Sequence, residues 1–294
     1  MKTRTSKRLR WNVAIWLAAG LFMTSASGMA AGPIMPDPKA EARHQPQVEE
    51  TANGIPLVNI TAPSSGGVSR NEYETFNVPD KGVILNNSYT LSKTELAGYV
   101  QGNNNMAERP AKIIVNEVTG AGSTSMDGFL EVAGNRADVV IANPNGITVN
   151  GGGFINTGKA FLTTGKPVYD GEDHLQRFDI TGGDILIEGK GLGGKETGSL
   201  AILSRAVKIN AGIWAKDLHI TTGANTVDAK TLEASTIEGK GGRPAFALDT
   251  AAIGGMYAGR ITLVGTEKGL GVNNSGIWSA EDLSLIHISE PTRH

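Results

Sequence analysis

The stretch GKGLGGKE, Gly189–Glu196, comes nearest to a phosphate-binding loop: Gly189, Gly194 and Lys195 have its spacing. The position after the lysine should carry a hydroxyl for magnesium. Here it is Glu196, a negative charge beside the would-be phosphates. Such a loop also opens a helix, whose first amides cradle the anion, yet TGSLAILSRAV follows and is strand-like. Gly189, Gly191 and Gly194 also fit Gly-x-Gly-x-x-Gly, with the same missing helix. The stretch reads as a loop between strands. No two of His44, His174, His219, His287 and His294 have zinc-ligand spacing. His219 lies in an alternating strand, where an exposed or hydrogen-bonded ring is the simpler reading. Ser123 and Ser125 lie in GAGSTSMDG, which is no Gly-x-Ser-x-Gly elbow. Asp170, Glu172 and Asp173 are close enough for a loose calcium site, set against an ordinary solvated acidic loop. No nucleophile has a base at a useful spacing. The chain is therefore expected to be non-enzymatic, with no cofactor and no metal.

The most distinctive stretch holds no reactive group. IANPNGITVNGGGFINT, Ile141–Thr157, lacks His, Cys, Asp, Glu, Lys and Arg. Pro144 fixes φ near −65°, which suits the second position of a turn that Asn143 opens with its side chain. Asn145 and Gly146 complete the reversal, and Ile147 begins the next strand pointing inward. Such a segment works through backbone shape. Two readings remain open, a plain stabilising turn and a turn that also touches a partner.

Bulk composition points to strands and tight turns. Gly occurs 39 times and Asn 20 times in 294 residues, and both tolerate φ > 0. Lys2, Arg4, Lys7, Arg8 and Arg10 form a basic head. An apolar run, Trp11–Met23, follows, too short to span a bilayer. Small residues then lead to Ala31. Residues 1–31 are read as a secretory signal peptide cleaved near Ala31, with a membrane anchor as the rival. Removing it takes five of the 27 basic residues and none of the 29 acids. The net charge becomes −7, poorly suited to nucleic acid. The chain has no Cys, which leaves it free of crosslinks that would hinder threading through a second membrane.

Residues 32–51 hold Pro33, Pro36, Pro38 and Pro46 among mixed charges and read as a disordered linker. From Ala52 the pattern is strand, turn, strand. Clear strands are expected at Ile113–Val118, Phe129–Val132, Val139–Ala142, Ile147–Asn150, Ala160–Thr163, Ile185–Glu188, Ala201–Ile209, Leu218–Thr221 and Arg260–Val264. Thr90–Tyr99 is the best helical candidate. AGIWAKDLHI (Ala211–Ile220) recurs as SGIWSAEDLSL (Ser275–Leu285) with one residue inserted. Gly212 and Gly276, 64 residues apart, would span about three coils of a solenoid. Trp214 and Trp278 occupy equivalent places in this repeat and read as packing residues. The fold class is all-β, a parallel β-helix solenoid, with a Greek-key sandwich as the alternative.

These segments resemble the N-terminal secretion domain of two-partner-secretion exoproteins, such as filamentous haemagglutinins, haemolysin-like exoproteins and contact-dependent growth inhibition toxins. The residues that carry the resemblance are NEYETFNV (Asn71–Val78), GVILNNS (Gly82–Ser88), IIVNEVTG (Ile113–Gly120), Leu130–Thr157, Ser204–Leu218 and Gly254–Gly276. The resemblance covers Ile55–Leu285. It implies a right-handed parallel β-helix with an N-terminal cap and small extra-helical β elements. It also implies Sec export to the periplasm, recognition by the periplasmic domains of an Omp85-type outer-membrane transporter, and a secreted, cell-surface location on a Gram-negative bacterium. The family's Asn-Pro-Asn-Gly-Ile motif falls on Asn143, Pro144, Asn145, Gly146 and Ile147. Its Asn-Pro-Asn-Leu motif falls on Asn103, Asn104, Asn105 and Met106, where Asn104 replaces proline and Met106 replaces leucine.

Residues 52–285 are expected to form the secretion domain and residues 286–294 an unrelated or artefactual tail. The repeat is still running at Leu285, so a longer exoprotein is expected, acting as adhesin or toxin carrier and meeting a host or target-cell surface through its missing region. A free-standing adhesin or carbohydrate-binding β-helix is the alternative. A polysaccharide lyase would need acidic and basic groups gathered in one groove, and none is evident.

Overall fold

The computed structural model describes residues 32–106 and 109–287. The expected leader with its cleavage point near Ala31, and residues 288–294 of the expected tail, lie outside the described residues.

Short strands bounded by turns stack coil on coil into three parallel faces. The first face runs through Val68–Phe76, Ile113–Val118, Ala137–Ala142, Thr157–Thr163 and Ser199–Ser204. The second runs through Pro56–Asn59, Val83–Asn87, Phe129–Gly134, Gly152–Ile155 and Leu192–Gly194. Three long strands, Gly212–Thr222, Gly255–Gly265 and Ile277–His287, then bend across both. The third face stacks Thr124–Met126, Ile147–Val149, Asp184–Ile187, Ala206–Ile209, Phe246–Thr250 and Gly271–Asn274. This is a parallel β-helix.

Register explains the apolar runs. Ile114, Val139, Ala160, Leu200, Leu218 and Ile261 form one inward row, each opposite the next. The neighbours Val115, Val140, Phe161 and Ala201 face outward and are buried too. They lie under an antiparallel sheet of Lys166–Tyr169, Leu175–Ile180, Asn225–Asp228 and Ala234–Thr236, which packs Phe178, Ile180 and Val227 onto them. Burial on both sides is why IIV, VVIA and LAIL do not alternate. Each Val, Leu, Ile or Phe among them contributes roughly 1.5–3 kcal/mol of transfer free energy.

The linker expectation is overturned. Ile34–Pro36 pairs antiparallel with the first-face strand at Tyr73–Phe76, and Gln47–Glu50 pairs antiparallel with Pro56–Asn59. Ile34 is buried in the main core, and Val48 packs against it. A first coil has open strand edges and an open core end, and this segment covers them. Prolines are tolerated there because an edge strand need not donate every N–H. Residues 33–50 are thus a cap.

Five further expectations change. Thr90–Tyr99 is a β-hairpin, Ser92–Thr94 with Gly98–Val100. It packs Val100 and Leu96 on the outside of the second face, and its turn is held by Glu95 and Leu96 N–H groups donating to Glu131 at 2.7 and 2.9 Å. Tertiary burial and a glycine at φ +71° override its local helical bias. Ala201–Ile209 is two strands broken at Arg205, whose buried guanidinium pairs with Glu267 at 2.9 Å. The 64-residue repeat spans two coil steps, not three: Gly212 pairs with Gly255 and Gly255 with Ile277, because the first step includes the excursion Asn225–Thr236. The inserted residue also shifts Gly-Ile-Trp by one place, so Trp214 stands opposite Tyr257 and Trp278 opposite Met256. The two tryptophans are not equivalent. Trp214 stacks with Tyr257 outside the coil at 6.0 Å, while Trp278 packs against the core. Ile286 and His287 extend the last strand opposite Val264 and Gly265, so the coil pattern runs two residues into the expected tail.

Candidate functional site: two asparagine turns at coil corners

Asn143 stands where a first-face strand gives way to a third-face strand. Its main chain is fixed from both sides: its N–H donates to Thr163 O at 2.9 Å, and its carbonyl accepts from Gly146 N at 3.1 Å. Its side chain closes the turn, with Oδ1 accepting from Asn145 N at 2.9 Å. The amide then reaches the preceding coil, with Nδ2 donating to Gly122 O at 2.9 Å and Thr124 Oγ1 at 3.0 Å. Asn145 Nδ2 donates to Gly120 O in the same corner at 2.8 Å. Gly146 has φ +109°, a conformation for which glycine is suited. Asn143 and Ile147 are buried, whereas Pro144 and Asn145 are exposed. The motif therefore has an inner side that stitches two coils and an outer side open to solvent.

Asn103 repeats this chemistry without proline. Its carbonyl accepts from Met106 N at 3.0 Å, and its Oδ1 accepts from Asn105 N at 2.9 Å. Its Nδ2 donates to Ile60 O at 2.9 Å and Asn86 O at 3.0 Å. Asn105 Nδ2 also donates to Ile60 O, at 3.1 Å. Met106 enters the core, as Ile147 does. Two hydrogen bonds, rather than the proline ring, therefore define the turn. The two turns occupy different corners, and no hydrogen bond joins them among the described residues.

Sequence reasoning missed two supporting asparagines. Asn87 Nδ2 donates to Ala111 O and Asn135 O, both at 2.9 Å, while its Oδ1 accepts from Ala111 N at 2.7 Å. Asn86 donates to Gln101 O and to Asn59 Oδ1, its opposite number on the adjoining strand. Asparagines closing strands that pair in register were the available signal.

The other candidates are dispersed. Lys195 and Glu196 follow the short strand Leu192–Gly194 and open no helix. His219 Nε2 lies 2.9 Å from Thr221 Oγ1, and burial holds the ring's pKa down. Ser125 lies in a third-face strand. Asp170 organises its own loop, accepting from the N–H groups of Glu172 and His174. Among the described residues, no three acidic or histidine side chains converge on a metal-sized space.

A corner-stitched parallel β-helix whose distinctive motif is a hydrogen-bonded turn is the class of protein that the fold and the site define. Residues 33–290 match the TPS secretion domain family, and the chain belongs to it. It is similar to Toxin CdiA of Yersinia pestis, 48% identical over 262 residues, covering 88% of this chain and 8% of that protein. The 16S rRNA endonuclease CdiA of Enterobacter cloacae is also 48% identical, over 77% of this chain and 7% of its own length. The filamentous hemagglutinin secretion domain has a crystal structure that superposes with a TM-score of 0.75 at 30% identity, covering 87% of this chain and 99% of that one. This chain thus spans under a tenth of the curated relatives' length. It is a secretion domain of the kind found in secreted exoproteins, a class that works with an outer-membrane transporter. The nuclease activities in relatives' names belong to those proteins.

Proposed function

We propose that this chain is recognised in the periplasm by an Omp85-type transporter while still extended. It is then threaded outward and folds at the cell surface coil by coil. The family match over residues 33–290, which takes in both asparagine turns, carries this reading. Delivery to the periplasm is assigned to the Sec machinery through residues 1–31. Adhesin or toxin activity, and contact with a target cell, are assigned to further polypeptide of the kind the longer relatives possess.

Within this reading, Asn143, Pro144, Asn145, Gly146 and Ile147, with Asn103, Asn104, Asn105 and Met106, are the secretion motifs. Asn143 serves folding, and the exposed Pro144–Asn145 tip serves recognition. The test is export of the full chain with and without its matched transporter, alongside Asn143→Ala and Asn145→Ala. Transporter-dependent release that both variants lose supports the proposal. Release without a transporter, or a stably folded protein left in the periplasm, refutes it.

A further inference from the structure

The groups that hold the cap come from distant parts of the chain. Arg43 and His44 lie in the single helical turn Ala42–His44 of the cap. Arg43 Nη1 meets Asp173 Oδ2 at 2.6 Å, across 130 residues of sequence. The buried His44 ring has Nδ1 3.1 Å from Glu72 Oε1 and Nε2 3.9 Å from Asp173 Oδ2. Arg70 joins the same carboxylates, 2.8 Å from Glu72 and 3.9 Å from Asp173, with its guanidinium over the Tyr169 ring at 4.4 Å. Asp173 is presented by a tight loop, at φ +58°, with its N–H donating to Asp170 O at 3.2 Å. Farther along the cap, Thr119 Oγ1 donates to Asp37 at 2.6 Å.

The cap's own pairing is meagre. It contributes strands of three and four residues at sheet edges, and besides His44 buries Ile34, Pro46 and part of Val48. Edge strands this short fray readily. Charge-assisted contacts in a half-buried cluster are stronger than exposed ion pairs, and losing one partner strands the others.

We propose that residues 33–50 are a strap that closes late, with Asp173 as its latch. Glu72 is available as soon as the first coil forms. Asp173 is presented only after the first-face strand Thr157–Thr163 has been added and the chain leaves the coil for its antiparallel excursion. Until then the strap is held by its edge pairing alone, and the strand edges beneath it open readily. The latch stands independently of the export proposal. Only one clause rests on that proposal: in vectorial export the strap would emerge first and lock late.

Native-state hydrogen exchange of the purified chain tests the latch without any transporter, so its failure is distinct from failure of the export reading. In Asp173→Asn, amides of Ile34–Glu50 should exchange about tenfold faster, while those of Ala137–Ala142 and Thr157–Thr163 keep their rates. Glu172→Gln, an exposed acid in the same loop, should change neither. Adding Arg43→Gln to Asp173→Asn should cause little further loss, as expected when both remove one interaction. Unchanged strap exchange in Asp173→Asn would overturn the proposal. So would acceleration of strap and central coils together, or strictly additive effects of the two substitutions.

Discussion

Asn143 spends both amide hydrogens on the preceding coil and its carbonyl oxygen on its own turn. Alanine there strands buried acceptors and opens the turn. Asn143→Ala should cost about 1–3 kcal/mol by denaturant titration, whereas exposed Pro144 and Asn145 should matter less to stability and more to transporter binding. Asn104 allows a converse test. Its turn matches that of Pro144, and no backbone bond from its N–H is present among the described turn contacts. Asn104→Pro should therefore stabilise the fold by about 0.4–1 kcal/mol through the unfolded state, and a lower melting temperature would refute the equivalence of the turns. Glu117 belongs to the cluster beneath the strap. Burial raises its pKa to about 7, partly opposed by Arg70. A carboxyl whose folded pKa lies above its unfolded value gives full stability below about 4.5, and that stability is lost as pH rises through about 7. Glu117→Gln escapes the loss. Its advantage over wild type should widen from pH 4.5 to pH 8, reaching on the order of 1–3 kcal/mol in urea titrations.

At the scale of elements, the excursions protect what the coils leave exposed. The antiparallel sheet buries the outer side of the first face through Phe178, and the Ser92–Val100 hairpin covers part of the second. Phe178→Ala should cost about 3–5 kcal/mol, read as a lower midpoint. Exchange should rise on both the excursion and the strands beneath it. The hairpin depends on one carboxylate, Glu131, which accepts two of its N–H groups. Glu131→Ala should loosen the hairpin by proteolysis while leaving the coil midpoint nearly unchanged. A matching fall in global stability would show instead that the hairpin is integral to the core.

Across the whole molecule, the two ends of the coil stack differ. The N-terminal end is closed by the strap, whereas the last strand leaves Leu283, Leu285 and Ile286 46–64% exposed, beside an apolar cavity of about 230 Å³ lined by Trp278 and Leu248. Among the described residues nothing pairs with the outer edge of Ile277–His287, and an open solenoid edge associates. The isolated chain should therefore self-associate with rising concentration in sedimentation runs, and Leu285→Glu should keep it monomeric. Equal association of both proteins would place the contact elsewhere.

The strands, the all-β class and the Asn143 turn were legible from residue types alone, because period, turn chemistry and strand propensity are local properties. The internal repeat pointed to a parallel β-helix, and the resemblance supplied its cap. The sequence pattern misread residues 33–50, where prolines and charges looked like a linker although the first coil's open edge recruits them as strands. It also misjudged the repeat, because an excursion between coils leaves no mark on strand patterning, and only pairing shows Gly212 opposite Gly255. The second turn lacks the proline, yet acceptors from Ile60 and Asn86 anchor Asn103. The meeting of Arg43 with Asp173 was invisible for the same reason. Local backbone preference is written residue by residue, while contacts between distant coils exist only once stacking has brought them together.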